Sequence, residues 1–145
     1  MPTRPPIVRA VTPFLAARDL RATVAFYTGH LGFRAVTLHP PQAPTLAVLD
    51  STDHATGARL GSIIFDSTLW PGEPAMTGQV HLDLGPQGNG PSRVVALLER
   101  MGDAAKVEWG PEVFGYGRRE CAIKDPNGYN VVLSEQTDDA VDCRD

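Results

Sequence analysis

Side chains that could bind a ligand are concentrated in the second half of the chain. The stretch "QVHLDLG" places His81 and Asp83 two residues apart, on one face of a predicted strand. A later stretch, "EWGPEVFGYGRRE", supplies Trp109, Phe114, Tyr116 and Glu120. An imidazole beside a carboxylate can bind a divalent metal or transfer protons, whereas aromatic rings near a cleft can stack on a ligand. The sequence therefore predicts a small-molecule site and leaves both kinds of chemistry open.

The turn "KDPNGYN" fixes which of these side chains share a face. Pro126 fits the second position of a type I turn, and Gly128 accepts the positive φ that follows it. Together they predict a three-residue hairpin with a G1 bulge. In this register Glu120 lies opposite Ser134 and on the same face as Val132.

Two roles for Glu120 remain open on strand alternation alone. It could face a pocket, or it could form an ion pair with Arg118 or Arg119 at a strand edge. Alternation also turns Cys121 away from Val132, so we expect a buried, unreactive thiol.

The order of predicted elements repeats. In the first half a strand from about residue 7 to 15 precedes a helix, which Asp19 caps and Gly32 ends. Leu20, Val24 and Tyr27 lie at helical spacing. Strands then follow near 33–38, 45–50 and 61–66. The second half predicts a strand at 79–85, a helix beginning near Pro91, and strands at 106–113, 118–124 and 129–134.

Each half is thus a β-α-β-β-β unit, whose sheet has one face covered by its helix. We predict an α+β fold in which two βαβββ modules form a concave half-barrel sheet with the helices outside. The modules would span 1–68 and 79–136, joined by a linker at 69–78 and followed by an acidic flexible tail at 137–145.

Composition excludes several classes of protein. The 145 residues are 42% hydrophobic and 21% charged, which suits one domain or two small modules sharing a core. A net charge of −4 does not favour nucleic-acid binding, which calls for a basic stripe. We expect no membrane span, because the apolar runs are too short. Cys121 and Cys143 form neither a disulfide framework nor a metal motif, and the N-terminus lacks a signal-peptide pattern, so we expect a cytoplasmic protein.

Two longer stretches resemble a known family. "VTPFLAARDLRATVAFYTGHLGF" (11–33) and "YGRRECAIKDPNGYNVVLSE" (116–135) are similar to the glyoxalase / bleomycin-resistance / extradiol-dioxygenase family, the vicinal-oxygen-chelate superfamily. The helix exit "FY…LGF" and the turn "DPNG" carry the resemblance, which extends to about Gln136. It implies paired βαβββ modules, usually a homodimer, with ligand in the concave sheet. The family includes isomerases, epimerases, dioxygenases, thiol transferases and drug-sequestering proteins, so the resemblance does not imply one reaction.

The resemblance also implies where a metal would be held. Enzymes of the family bind vicinal oxygens of the substrate through a divalent metal acting as a Lewis acid. The four ligand positions fall at or next to Thr12, near Ile64, and on His81 and Val132. Only His81 is a usable ligand, so we expect a metal-free member.

The stretch "YGRRE" with "AIKDP" is most similar to the bleomycin-resistance-type branch, where an acidic, aromatic pocket holds a cationic, planar compound without chemistry. We therefore predict metal-independent binding or sequestration of such a compound by a homodimer with two clefts. The predicted ligand-binding residues are Thr12, His81, Asp83, Trp109, Phe114, Tyr116, Glu120 and Val132. Trp70, in the linker, could reach the cleft of the partner subunit.

Two alternatives remain. One is a lyase, isomerase or dioxygenase of the same family that uses a divalent metal at a site displaced around His81, with Asp83 or Glu120 as a further ligand or a base. The other is a dimeric structural or regulatory module with a vestigial cleft.

Overall fold

A computed structural model describes residues 4–72 and 79–142. Cys143, the last residues of the predicted tail and most of the predicted linker lie outside the described residues. The chain divides into two compact units between residues 73 and 74.

The first unit is a four-stranded sheet with one helix. Its elements are β1 (Phe14–Ala16), α1 (Leu20–Gly29), β2 (Arg34–His39), β3 (Leu46–Thr52) and β4 (Arg59–Asp66), followed by a short 3-10 turn, Ser67–Leu69. The strand order is β1-β4-β3-β2, with β1 parallel to β4 and the other pairs antiparallel. The helix α1 packs on β2 and β3, and Tyr27, Leu49 and Phe65 are fully buried.

Local signals set the limits of α1 as predicted. The Asp19 carboxylate accepts a hydrogen bond from the Ala22 backbone N–H at 3.0 Å, which satisfies one of the unpaired amides at the helix start. The last helical hydrogen bond runs from Leu31 N to Tyr27 O, and Gly32 follows with a φ of 74°. A positive φ at this position reverses the direction of the chain. Glycine adopts it without the steric penalty that a Cβ atom would cause.

The first strand is much shorter than predicted. Residues 4–13 form no regular secondary structure, and β1 begins only at Phe14. The prolines of "RPPIVRAVTP" explain the difference, because a proline cannot donate a hydrogen bond to a sheet. Ile7 and Val11 are accordingly 78% and 85% exposed. Thr12 therefore precedes β1 instead of lying on it.

The second unit repeats the arrangement. Its elements are β5 (Gln79–Pro86), α2 (Arg93–Met101), β6 (Lys106–Phe114), β7 (Arg118–Lys124) and β8 (Asn130–Gln136), with a 3-10 turn at Gly102–Ala104. The order is β5-β8-β7-β6, with β5 parallel to β8. The predicted α+β class and the two βαβββ units are thus confirmed, and each sheet is open.

The hairpin between β7 and β8 has the predicted register. Asp125 N donates to Tyr129 O at 3.0 Å, and Gly128 has a φ of 85°. Glu120 lies opposite Ser134. The turn chemistry of a few residues has therefore set which side chains of β7 and β8 share a face.

A buried carboxylate attaches α2 to the sheet. Glu135 of β8 is fully buried and accepts hydrogen bonds from Ser92 Oγ at 2.5 Å and Arg93 N at 2.7 Å. Ser92 also caps the helix through Val95 N at 3.1 Å, so Pro91 precedes the cap instead of opening the first turn. Because Glu135 contacts α2, the odd-numbered residues of β7 and β8 face the helix.

Cys121 lies on this helix side and is fully buried, as predicted. Burial raises the pKa of its thiol to about 11, so it is not a reactive nucleophile.

Neither helix in the described residues is long and apolar enough to cross a membrane, since α1 has ten residues and α2 nine.

Candidate functional site

Seven of the eight predicted ligand-binding residues lie on one face of the second sheet, away from α2. The pairing register places His81 of β5 beside Val132 of β8, and Asp83 beside Ser134. Across β7 and β6, Val132 is followed by Ala122 and then Trp109. In the same way, Ser134 is followed by Glu120 and then Glu112. We call this surface the site face: it comprises His81, Asp83, Trp109, Glu112, Phe114, Tyr116, Arg118, Glu120, Ala122, Val132 and Ser134.

Glu120 is the centre of the hydrogen bonds on the site face. Only 6% of the residue is exposed. One carboxylate oxygen lies 2.9 Å from His81 Nε2, and the other accepts the phenolic hydrogen of Tyr116. Of the two interpretations left open for Glu120, the ion pair with a neighbouring arginine is therefore wrong.

These bonds keep Glu120 ionised. Burial alone would raise its pKa, but hydrogen bonds from Tyr116, Ser134 and His81 outweigh burial and hold the pKa below its ordinary value. The same bond to Glu120 raises the pKa of Tyr116 to about 12. The site face thus carries a buried anion that is covered by a neutral phenol and by an imidazole whose side chain is 51% exposed.

The two neighbouring arginines have other partners. Arg118 donates to Asp83 Oδ1 at 2.7 Å and to Ser134 Oγ at 2.6 Å. A hydrogen bond from Gly85 N, together with Arg118, lowers the pKa of Asp83. Arg119 faces α2 and lies 3.0 Å from Glu135. On the site face, three carboxylates (Asp83, Glu112, Glu120) and one guanidinium leave a charge of −2 when His81 is neutral.

Aromatic rings form the outer layer of the site face. The rings of Phe114 and Tyr116 stack with centroids 5.4 Å apart and an angle of 3° between their planes. Trp109 meets the edge of Phe114 at 6.0 Å. Tyr116 is 64% exposed, so one side of its ring is open to a ligand.

The passage that carries these rings is a slightly irregular strand followed by a short loop. Trp109 and Phe114 belong to β6, and residues 115–117 form the loop. The irregularity is confined to register shifts between β6 and β7 on either side of Trp109. Gly110 makes these register shifts possible. Its φ is 78°, and the Cβ atom of any other residue would lie 2.4 Å from Glu120 O.

The side chains at the family's ligand positions do not fit a metal. Ile64 and Val132 carry no donor atom, and Val132 is 1% exposed. The Nε2 atom of His81 is already hydrogen-bonded to Glu120. In the described ranges 4–72 and 79–142, no group of three or more histidine, cysteine, aspartate or glutamate side chains is arranged to hold a metal ion.

Thr12, the eighth predicted residue, belongs to the first unit. It is exposed and lines an open cavity of about 180 Å³ together with Arg9, Arg59 and Ser62.

Sequence reasoning did not anticipate that Arg118 and Ser134 join the hydrogen bonds of the site face. The signal was present, because strand alternation places both on the face of Glu120.

Comparison with known proteins agrees with the fold. A sequence model of the Glyoxalase/Bleomycin resistance protein/Dioxygenase superfamily matches residues 7–133. No curated protein sequence matches the chain.

Three of the similar solved structures illustrate the likeness. TioX from Micromonospora sp. ML1 is 19% identical, with a TM-score of 0.62, and the match covers 89% of this chain and 99% of TioX. The bleomycin resistance determinant encoded on transposon Tn5 is 21% identical, with a TM-score of 0.58 and coverage of 89% and 98%. Lactoylglutathione lyase from Agrobacterium tumefaciens is 21% identical, with a TM-score of 0.61 and coverage of 90% and 95%. At these identities the likeness concerns the fold alone, and the family match over residues 7–133 shows that the chain belongs to the glyoxalase/bleomycin resistance/dioxygenase superfamily.

Proposed function

We propose that this protein binds and sequesters a cationic, planar small molecule without a metal, in the manner of the bleomycin-resistance branch of its superfamily. The observation that carries the proposal is the exposed ring of Tyr116, stacked on Phe114 and bonded to the buried, ionised Glu120. A planar cation placed on this ring gains stacking and cation–π attraction, worth together about 1–3 kcal/mol.

The charge of the site face favours the same ligand class. Glu120 is covered, so a ligand first meets Tyr116 and the half-exposed His81. The carboxylates of Glu112 and Asp83 flank these two side chains and add to the negative potential around them. Cations are attracted to this surface and anions are repelled. Sequestration then depends on slow release of the ligand and requires no turnover.

We also propose that the protein acts in the cytoplasm as a homodimer, with Trp70 reaching the cleft of the partner subunit. The family membership supports a dimer, and two cysteines without a disulfide framework support a reducing compartment. Sedimentation equilibrium tests the dimer, and a monomer at all concentrations would refute it.

Calorimetric titration with proflavine, a planar cation, tests the binding proposal. We expect Tyr116→Ala to weaken binding about tenfold, since the ring supplies stacking worth about 1–3 kcal/mol. Glu120→Gln removes the central negative charge and should also weaken binding. Glu99→Gln, an exposed charge change on α2, is the matched control and should bind as the wild type does. An anionic naphthalene sulfonate should not bind.

Equal proflavine affinity in the wild type, Tyr116→Ala and Glu120→Gln would refute a site on this face. Absence of binding to the wild type by proflavine and by other planar cations would refute the ligand class.

A second candidate function follows from the contact between His81 and Glu120. A carboxylate 2.9 Å from an imidazole can orient it as a base, or the two can share a metal in a lyase, isomerase or dioxygenase with a displaced site. Metal analysis after dialysis against nickel, zinc or iron(II) separates the two functions. Near-stoichiometric metal that is lost in His81→Ala would favour the enzyme and contradict metal-independent binding.

A further inference from the structure

The chain does not leave the second sheet where β8 ends. Residues 137–142, which we call the C-terminal strap, continue around the hairpin of β6 and β7. Thr137 N donates to Gly117 O at 3.0 Å. At the other end, Asp142 N donates to Val113 O at 3.0 Å, and Val113 N donates to Asp142 Oδ2 at 2.6 Å. The bonded residues Val113 and Gly117 bracket the segment that holds both stacked rings.

Side chains attach the middle of the strap to the sheet. Arg119 donates to the carboxylate of Asp139 and, at 3.0 Å, to Glu135. Gln87 Oε1 accepts hydrogen bonds from Thr137 Oγ1 at 2.7 Å and from Arg119 at 2.8 Å. Arg119 is mostly buried, with 14% of its side chain exposed, so these bonds are partly shielded from water. The strap is therefore fixed at its start, middle and end.

The strap contacts the hairpin along the edge of β6 and on the side that faces α2, away from the site face. Val113 is paired with Arg119, and both face α2, whereas the next pair, Phe114 and Arg118, faces the ligand side. β6 is the edge strand of the sheet, so the Asp142 bonds also satisfy backbone groups that would otherwise be open on that edge. The aromatic rings stay uncovered.

The hairpin needs such support, because two of its three loop residues are glycines. Gly115 and Gly117 flank Tyr116, and glycine backbones have more conformations to lose than any other residue. The local turn contributes one bond, from Gly117 N to Phe114 O at 3.1 Å. Two backbone–backbone bonds from the strap, at Gly117 and Val113, and the bond from Val113 N to the Asp142 carboxylate restrict the hairpin from outside.

We propose that the C-terminal strap positions the aromatic hairpin, with Asp139 and Asp142 as positioning residues that hold Tyr116 where its hydroxyl meets Glu120. The strap preorganises the ring for ligand, and this last step rests on the proposed function. A preorganised ring binds more tightly because less entropy is lost when the ligand arrives.

The ionisation of Tyr116 reports its position without any ligand. Hydrogen bonding to Glu120 raises the pKa of Tyr116 to about 12, against an ordinary phenol value of about 10. Ultraviolet difference absorbance is recorded at about pH 11, between these two values. Each protein is paired with its Tyr116→Phe version, so that the signals of Tyr27 and Tyr129 cancel. Circular dichroism at the same pH verifies that each protein is folded.

The test compares Asp139→Ala/Asp142→Ala with Asp138→Ala, an exposed carboxylate of the same segment. We expect up to about tenfold more ionised Tyr116 in the double variant than in the wild type, and no change in Asp138→Ala. If the double variant does not fold, Asp142→Ala alone serves, because it removes one side-chain bond and leaves the backbone bond to Val113. Wild-type ionisation of Tyr116 in every folded strap variant would overturn the proposal.

Proflavine titration of the same proteins separates this proposal from the proposed function. We expect about tenfold weaker binding in the double variant. If Tyr116 ionisation shifts but the wild type binds no planar cation, the strap positions the ring and the proposed ligand class is wrong. If the wild type binds proflavine but the strap variants neither shift Tyr116 ionisation nor bind more weakly, the site stands and the strap proposal fails.

Discussion

Tyr116 donates its phenolic hydrogen to the carboxylate of Glu120, four residues further along the chain and across the β6–β7 hairpin. This single bond moves two pKa values in opposite directions. It lowers the pKa of Glu120, because it stabilises the charged carboxylate, and raises that of Tyr116, because the phenol would lose this bond on giving up its proton. The bond also joins the exposed ring to the buried charge, so it can be followed from either partner.

The first prediction concerns Tyr116→Phe. Without the phenolic donor the charged form of Glu120 loses one of the bonds that oppose burial, so its pKa should rise. Carbon-detected NMR titration of the glutamate carboxylates measures this directly. A Glu120 pKa that is the same with and without the hydroxyl would show that the bond contributes nothing.

The second prediction concerns stability at acid pH. The pKa values of Glu120 and Asp83 are lower in the folded protein than their ordinary values of 4.5 and 3.8. Each group therefore contributes stability above its unfolded pKa, and that contribution is lost as the pH falls through the folded pKa. The unfolding free energy should decrease as the pH falls below about 5.

Urea unfolding across this pH range measures the effect in the wild type and in Glu120→Gln/Asp83→Asn. The double variant should be less stable at neutral pH, and its curve should be flatter at acid pH. Parallel curves for the two proteins would mean that other carboxylates account for the acid dependence.

The third prediction concerns Gly110, where β6 approaches β7. An added Cβ would lie 2.4 Å from Glu120 O and 3.0 Å from Cys121 Cα, and the φ of 78° is itself unfavourable for other residues. Gly110→Ala should therefore destabilise the protein by about 2 kcal/mol or more, since backbone strain alone costs about 1–3 kcal/mol. Chemical denaturation measures the change.

Gly115→Ala is the matched control in the same hairpin. A Cβ at Gly115 meets no atom within 4 Å, and its φ is outside the positive range. We expect the free energy of unfolding to change by less than about 1 kcal/mol in either direction, because alanine also restricts the unfolded chain. Similar losses in the two variants would refute the close approach at Gly110.

The fourth prediction concerns Glu135, the buried carboxylate beneath α2. Glu135→Gln removes the charge that Arg119 contacts and weakens the bonds from Ser92 Oγ and Arg93 N. Breaking a buried ion pair on one side costs about 3–5 kcal/mol, and glutamine retains one acceptor, so we expect a loss of about 2–4 kcal/mol. Glu99→Gln on the same helix should change stability by less than about 0.5 kcal/mol. Urea denaturation measures the free energy of unfolding of the two variants and the wild type, provided that the dependence on urea concentration has the same slope in all three. A Glu135→Gln variant as stable as the wild type would contradict the structural role of Glu135.

Features that depend on neighbours in the chain were predictable from the sequence. The cap at Asp19, the turn "DPNG" and the repeated β-α-β-β-β order follow from residue spacing and turn chemistry, because hydrogen bonds in caps and turns span only a few residues. The hairpin register followed from that turn, and with it the common face of Glu120 and Val132 and the burial of Cys121. The extent of β1 was not predictable by apolar pattern, since the prolines before it removed donors that a strand needs.

The partners of Glu120 were decided by tertiary structure. His81 lies 39 residues before Glu120 and meets it because β8 inserts between β5 and β7, parallel to one and antiparallel to the other. The strap residue Asp142 likewise meets Val113, 29 residues earlier, only because the chain turns around the hairpin after β8. The sequence determined which side chains face which way along each strand, through the two-residue period of the backbone. Which strands become neighbours depends on how the whole unit buries its apolar faces. The site face and the contacts of the strap form as a result of that packing.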